Sequence, residues 1–363
     1  MTAAVHTFSL APLRAAMVEL VRGFGSDAEE VDLVVDNLLE ANLRGHDSHG
    51  IGMLPRYADA YLEGGLRPGA RPLVKLDHGS MLALDGQAGF GQVVGRDAMR
   101  LAVARAKEHG SCIMALANAH HLGRIGAWAE MAVAEGLVSV HFVNVISRPI
   151  VAPWAGGDGR FGTNPFAVGI PVPGGEPVVL DMATSVVAQG KVRVAYNKGE
   201  PLPHGQLLDN RGHPTLDPRY GVTEPLGALR TFGEHKGFGL ALVCELLGGA
   251  LAGALAVHGP AGAERRVLNG MLSIVFEPGR LADGATFAAQ MGAFLDWVKA
   301  SPPQPGFDRV RVAGEPERET RAHRLQAGIP VDTTTWQELL DAAGKLCRDP
   351  AELDRLARGA KAG

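Results

Sequence analysis

Cysteine is scarce in this chain. It occurs three times in 363 residues, as Cys112, Cys244 and Cys347, far apart and odd in number. That excludes a disulfide scaffold and a C-x-x-C site, and it fits thiols buried as small hydrophobes in a reducing compartment. A charge excess of one sign is also missing: 35 Lys and Arg against 39 Asp and Glu leave a formal net charge of −4. A nucleic-acid surface is therefore not expected. No apolar run is long enough to span a bilayer, and Met1 to Pro12 lacks the basic start and apolar core of a secretory signal. These absences predict a cytoplasmic globular protein without membrane or nucleic-acid partners. With 46% hydrophobic and 20% charged residues, it can bury a substantial core, divided over two domains.

Familiar signatures are absent too. There is no G-x-x-x-x-G-K-[ST] phosphate loop, no H-E-x-x-H and no His pair at helical i, i+4 spacing. No metal is expected, since a site would have to be assembled from distant segments. Gly157-Asp158-Gly159-Arg160-Phe161-Gly162 does spell G-x-G-x-x-G. A dinucleotide fingerprint needs a strand before it and a helix opening at its end, so that pyrophosphate meets the helix N-terminus. Here Pro153 and Trp154 precede the motif, and Thr163-Asn164-Pro165 leads into strand-like Phe166-Ala167-Val168. The Rossmann reading fails its own context.

What the chain does have is Gly45-His46-Asp47-Ser48-His49-Gly50, two imidazoles, a carboxylate and a hydroxyl bracketed by glycines. A helix is predicted just before it, from Ser26 to Leu43. Ser26 and Glu29 form a capping box, Val31, Val34, Val35, Leu38 and Leu39 mark its apolar face, and Gly45 is its C-cap. On the residues alone, the cluster reads either as a site on the exit from a buried helix or as a surface loop with incidental histidines.

Further helices are predicted at Leu10 to Phe24, Pro55 to Leu62, Gln92 to Glu108, Trp128 to Ala134 and Trp336 to Ala362. The Gly64 to Pro72 segment reads as a boundary. Strands are predicted at Met81 to Asp85, Cys112 to Leu116, Val138 to Val145, Phe166 to Val172, Val178 to Leu180 and Met271 to Phe276. The glycine-rich apolar run 237–256 predicts a buried helix approached closely by its neighbours, since each internal glycine costs roughly 1 kcal/mol of helix propensity against alanine. Helices at both ends around a mixed middle predict an α+β fold. A helical domain of residues 1–75 would be joined by helices of 315–363, and 76–314 would form the mixed-sheet domain.

Other polar concentrations are Asn118 to Gly126, a strand-to-helix junction able to aim backbone N–H groups at an anion, Asp181 at the end of an apolar strand, and Gly233-Glu234-His235-Lys236-Gly237. Singly, each also reads as an ordinary core or surface group.

Taken together, these segments resemble the malate/L-lactate dehydrogenase family of NAD(P)-dependent oxidoreductases, which do not use a Rossmann fold. The matching stretches are Ala41 to Gly50, His120 to Gly126, Phe161 to Pro165, Asp181 to Ser185, Lys198 to Pro203 and Glu234 to Gly239, in family order over most of the chain. Trp297 to Pro302 and Gln326 to Pro330 favour its hydroxycarboxylate dehydrogenase branch.

The resemblance implies a mixed, largely antiparallel sheet, a homodimer, and nicotinamide cofactor (NAD or NADP) and substrate in a cleft near the dimer interface. It also implies reversible reduction of a 2-oxo acid to a 2-hydroxy acid. His49 matches the family's proton donor, and Ser48 and Asp181 match the partners that orient and charge it. His121 matches the acid/base of some members. Gly123, Arg124, Ile125, the strand end Val179, Leu180, Asp181, Met182 and Ala183, then His235, Lys236, Asn269 and the turn Gly314, Glu315, Pro316 and Glu317 match cofactor-contacting positions. Arg56 or Arg44, flanking the Ser-His turn, would hold the substrate carboxylate. Reduction of a cyclic imine carboxylate, a non-catalytic cofactor-binding role and a metal-dependent hydrolase are the competing readings.

Overall fold

The computed structural model describes residues 5–256 and 267–359. The chain runs through β1 (Val5–Phe8), α1 (Leu10–Arg22), α2 (Ala28–Leu43), two 3-10 turns (Asp47–His49 and Ile51–Met53), α3 (Leu54–Leu62), β2 (Leu73–Asp77), β3 (Met81–Asp85), α4 (Gly91–His109) and β4 (Ser111–His120). It continues through α5 (Gly126–Ala134), β5 (Val138–Ile146), β6 (Phe166–Ile170), β7 (Val178–Met182), α6 (Gln189–Lys198), β8 (Leu207–Leu208), β9 (Pro214–Thr215), α7 (Arg219–Val222), β10 (Ala228–Leu229) and α8 (His235–Cys244). After a π-helical turn (Glu245–Leu251) come β11 (Leu268–Phe276), α9 (Gly284–Lys299), α10 (Glu315–Ala327), β12 (Ile329–Asp332), α11 (Thr333–Lys345) and α12 (Pro350–Ala357).

The main sheet has the order β2-β3-β4-β11-β5-β6-β7, and only β3 and β4 run parallel. It is the mixed, largely antiparallel sheet expected. β11 arrives from far along the chain to lie between β4 and β5. Strand residues alternate between two faces. Val143 joins an apolar cluster with Val94, Met99 and Ala102 of α4 and with Trp128 of α5, whereas its neighbour Asn144 meets the π turn on the other side.

A separate apolar cluster unites both ends of the chain. Leu13, Leu20, Leu38, Leu54 and Tyr57 pack with Trp336, Leu339 and Leu353, and β1 pairs with β12. Burying each large aliphatic side chain there contributes roughly 1.5–3 kcal/mol. Among the described residues, no helix is long and apolar enough to cross a membrane.

Three local expectations need correction. Helix α2 is capped by Asp27, which accepts from the Glu30 N–H at 2.8 Å, while Ser26 Oγ is buried without a hydrogen bond, so there is no Ser26–Glu29 capping box. Aspartate beside serine offers the better acceptor for the first-turn N–H groups, and it also complements the helix dipole. The 237–256 run is not one buried helix. It starts two residues earlier as α8, widens into the π turn, and leaves Leu242, Val243, Leu246, Leu251 and Leu255 exposed. Its close approaches are real at Gly248 and Gly249, where a Cβ would lie 2.5 Å from Phe142 O and from Asn144 Nδ2 respectively. At Gly239 nothing lies within 4 Å. The predicted tail helix Trp336 to Ala362 is also divided, into α11 and α12 with a break at 346–349, and its residues 360–362 lie outside the described residues.

Candidate active site

The Ser-His turn is held by the end of α2. Gly45, at φ +85, places its N–H on Asn42 O, and His46 N–H reaches Ala41 O, so the helix closes as the left-handed cap its glycine predicts. The Asn42 side chain then fastens the turn at two points. Its Nδ2 donates to Asp47 Oδ1 at 2.7 Å and its Oδ1 accepts from Ile51 N–H at 2.9 Å. A Cβ on Gly50 would lie 2.1 Å from that Oδ1, which is why the bracket ends in glycine. Arg324 of α10 grips the Asp47 carboxylate at 2.7 and 3.0 Å and also donates to Asn42 O. Asp47 is therefore an anchor.

Of the next two side chains, Ser48 is exposed and His49 half-buried. Ser48 Oγ lies 2.9 Å from His49 Nδ1, and the His49 ring stacks on His121 with centroids 5.5 Å apart and planes 22° apart. His121, at the end of β4, meets Tyr57 Oη through Nδ1 at 2.6 Å, and Tyr57 accepts from Gln92 Nε2 at 2.9 Å. Burial holds His49 down to about 4, against the upward pull of Asp181, with His46 and Arg124 adding to the lowering. His121 is held well below the usual imidazole range, first by burial and then by His49, His120 and Arg56. Two neutral imidazoles thus face each other, each with Nδ1 occupied. Neither Nε2 has a hydrogen-bond partner among the described residues, so a proton can be given or taken there.

Asp181 ends β7. Its Oδ2 accepts the Gly126 N–H at the start of α5 at 2.8 Å, and the carboxylate acts on His49 through space. Gly123, at φ +72, Arg124 and Ile125 form the turn into α5. Arg124 is 3% exposed and pairs with Glu130. β7 is an edge strand, and Val179 N–H donates to Ala313 O at 3.2 Å, which brings Gly314 beside Val179; Glu315 to Glu317, expected in a turn, are the first turn of α10. Beyond Met182 and Ala183, Thr184 O accepts from Phe232 N–H, so the segment leading to His235 and Lys236 runs beside the same exit.

The other assigned residues are placed differently. Arg44 is engaged by Glu40 at 2.7 Å and by Glu130 at 3.1 Å, whereas Arg56 is exposed and has no ion pair among the described residues. Asn269 is spent inside the protein, with Oδ1 on Leu122 N–H and Nδ2 on Asn144 O, both at 2.8 Å. Glu315 is tied to Lys299 and Arg309, but Glu317, which faces His46 at 3.5 Å, keeps Oε2 buried without a hydrogen bond. Tyr57, Gln92, Asn42 and Arg324 were not singled out from the sequence. Asn42 lay inside the matching stretch Ala41 to Gly50, and Tyr57 carried a hydroxyl on the apolar face of the helix that follows the Ser-His turn. Among the described residues, no group of three His, Cys, Asp or Glu side chains is placed to hold a metal ion.

The G-x-G-x-x-G stretch lies in a loop where Val151 bridges Phe161, and it leads into β6 rather than a helix.

The family model for malate/L-lactate dehydrogenase matches residues 8–340. Hydroxycarboxylate dehydrogenase B of Escherichia coli strain K12 is 44% identical over 343 residues, 94% of each chain. A solved structure from Escherichia coli, provisionally named a malate/lactate dehydrogenase, superposes with a TM-score of 0.93 at 42% identity, covering 98% of this chain and 99% of that one. Delta1-piperideine-2-carboxylate reductase from Pseudomonas syringae superposes with a TM-score of 0.81 at 30% identity, covering 93% of this chain and 100% of that one. With its motifs in order and its matches running nearly end to end, the chain belongs to the malate/L-lactate dehydrogenase family.

Proposed function

We propose that this protein is a nicotinamide-dependent 2-hydroxyacid dehydrogenase, interconverting a 2-oxo acid and its 2-hydroxy acid with His49 as proton donor and acceptor. The observation that carries it is the stacked His49–His121 pair, with Ser48 on His49 Nδ1 and Asp181 beside it. The chain's donor set fits the cofactor. Glu317 Oε2 is a buried acceptor in want of a donor such as a ribose hydroxyl, and it lies in the first turn of α10, which follows Gly314 beside β7. Val179 to Ala183, Gly123 to Ile125 and His235 would hold the dinucleotide, NAD or NADP. When bound, it supplies or takes up the hydride.

The remaining work falls to the chain. Arg56, without an ion pair among the described residues, binds the substrate carboxylate. His49, neutral at rest, takes the hydroxyl proton at Nε2 during oxidation. In the other direction it must carry that proton, and the negative charge of a bound oxo acid raises its pKa toward that state.

The test is oxidation of NADH and NADPH at 340 nm against 2-oxo acids and cyclic imine carboxylates. Turnover of oxo acids is expected. Turnover of imines alone would transfer the site to the second reading, which the similarity to the Pseudomonas syringae reductase favours. H49A is expected to lower turnover by ~10²–10⁴ with cofactor binding retained. Near-normal turnover in H49A would move the acid/base role to His121. In the wild type, kcat/KM for hydroxy acid oxidation should hold as pH falls from neutrality and drop only as His49 protonates near 4.

A homodimer is part of the same proposal. Phe294 and Trp297 of α9 are 61% and 74% exposed, an apolar patch suited to a second copy. Sedimentation should give twice the chain mass of 38.1 kDa.

A further inference from the structure

Glu245 is a buried carboxylate that the reaction above does not use. It opens the π turn and is 6% exposed, and no cation among the described residues pairs with it. π turns within helices occur often at functional sites. Its oxygens accept from two asparagine amides, Oε1 from Asn144 Nδ2 at 3.1 Å and Oε2 from Asn164 Nδ2 at 2.6 Å. Each amide thereby turns its own oxygen toward a backbone N–H. Asn144 Oδ1 accepts from Gly270 at 2.8 Å, and Asn164 Oδ1 accepts from Val145 at 3.1 Å.

Two arms leave this node. In one, Asn144 O accepts from Asn269 Nδ2, and Asn269 Oδ1 accepts from the N–H of Leu122, the residue after His121. In the other, Asn164 follows Thr163, whose carbonyl accepts both the N–H and the hydroxyl of Thr184 at 2.9 Å, just past Asp181. We infer that Glu245 is a positioning residue, which through Asn144–Asn269 and Asn164–Thr163 sets the His121 loop against the exit of the Asp181 strand. Its bearing on catalysis rests on the proposed function.

The chemistry calls for a carboxylate. It is acceptor-only and so satisfies two amide donors at once, whereas glutamine offers one acceptor and one donor group. In E245Q one asparagine must lose its partner or flip. A flipped Asn144 would aim NH₂ at the Gly270 N–H, and a flipped Asn164 would aim it at the Val145 N–H. One arm breaks either way. Exchanging donor and acceptor repairs it in part: in E245Q/N164D, the new amide donates to the new carboxylate, which still accepts from Val145 but gives up the bond that Asn164 Nδ2 donates to Ala241 O at 3.2 Å.

The experiment measures kcat, KM and hydrogen–deuterium exchange of segments 119–125 and 181–185 in these variants. E245Q should lose about tenfold or more in kcat, the scale expected when reacting groups are slightly misplaced, with faster exchange in at least one segment. E245Q/N164D should recover part of both. If E245Q keeps kcat within about twofold with unchanged exchange, or the double variant is no better than E245Q, the inference fails. Should E245Q not fold, N269D takes its place. It keeps the acceptor for Leu122 but severs the link to Asn144, and unchanged kcat and exchange at 119–125 would sink the idea equally. If the parent shows no dehydrogenase turnover, the proposed function fails and exchange alone decides the positioning role.

Discussion

Tyr57 selects one form of His121. Gln92 Nε2 donates to the phenol oxygen, so the phenol hydrogen goes to His121 Nδ1 and the neutral ring carries its proton on Nε2. Burial raises the Tyr57 pKa and keeps it a donor. Y57F leaves two buried polar groups unpartnered, and its urea midpoint should show a loss of about 1–3 kcal/mol. A midpoint equal to wild type would mean that the ring finds another donor. Histidines also set the acid limit. His141 lies between Ser139 and Ser273 in the sheet and is pushed down to about 3, with His49 at about 4. Both bind fewer protons folded than unfolded below the ordinary value of 6.5, so stability present above pH 6.5 is lost as pH falls toward 4 and 3. H141N should flatten part of that loss when urea midpoints at neutral and acid pH are compared. An unchanged slope would assign the loss to other groups.

At the scale of elements, α4 comes very close to the end of β4 near the site. A Cβ on Gly91 would lie 2.1 Å from His121 O and 2.4 Å from His120 O. G91A must push the His120–His121 backbone away, at a cost of about 1–3 kcal/mol for overpacking, and turnover should fall more than thermal stability does. G344A in α11, with only Pro350 at 3.8 Å, is the control that should leave turnover unchanged.

Periodicity made α2, α4 and most sheet strands legible, because their apolar faces recur locally, and Gly45 marked the exit to the Ser-His turn. Context made the false dinucleotide motif at 157–162 legible as well. The choice of Asp27 over Ser26 was not legible, since both are good caps and only the local backbone decides. The exposed face of the 237–256 run was hidden because composition reports apolarity without saying which surface covers it. The partners of the site residues were hidden for another reason. Tyr57 meets His121, and Arg324 meets Asp47, across separations that no local pattern encodes.

Across the whole molecule, the Ser-His turn depends on the far end of the chain. R324Q should release Asp47 and Asn42 O, and the expected result is a lower kcat with cofactor affinity nearly kept, measured by turnover and fluorescence titration. Equal kcat would reduce the ion pair to a surface contact of little worth. β11 imposes the same dependence on the sheet, because β4 and β5 meet through it and not directly. Protein synthesis is directional, so the His49 turn and the first sheet strands leave the ribosome long before β11 and Arg324 exist. Nascent chains halted before residue 268 would hold two strands with open facing edges and an unlatched Ser-His turn. Competence for chemistry should then appear abruptly, late in translation, and the waiting strands would be the segment most in need of a chaperone.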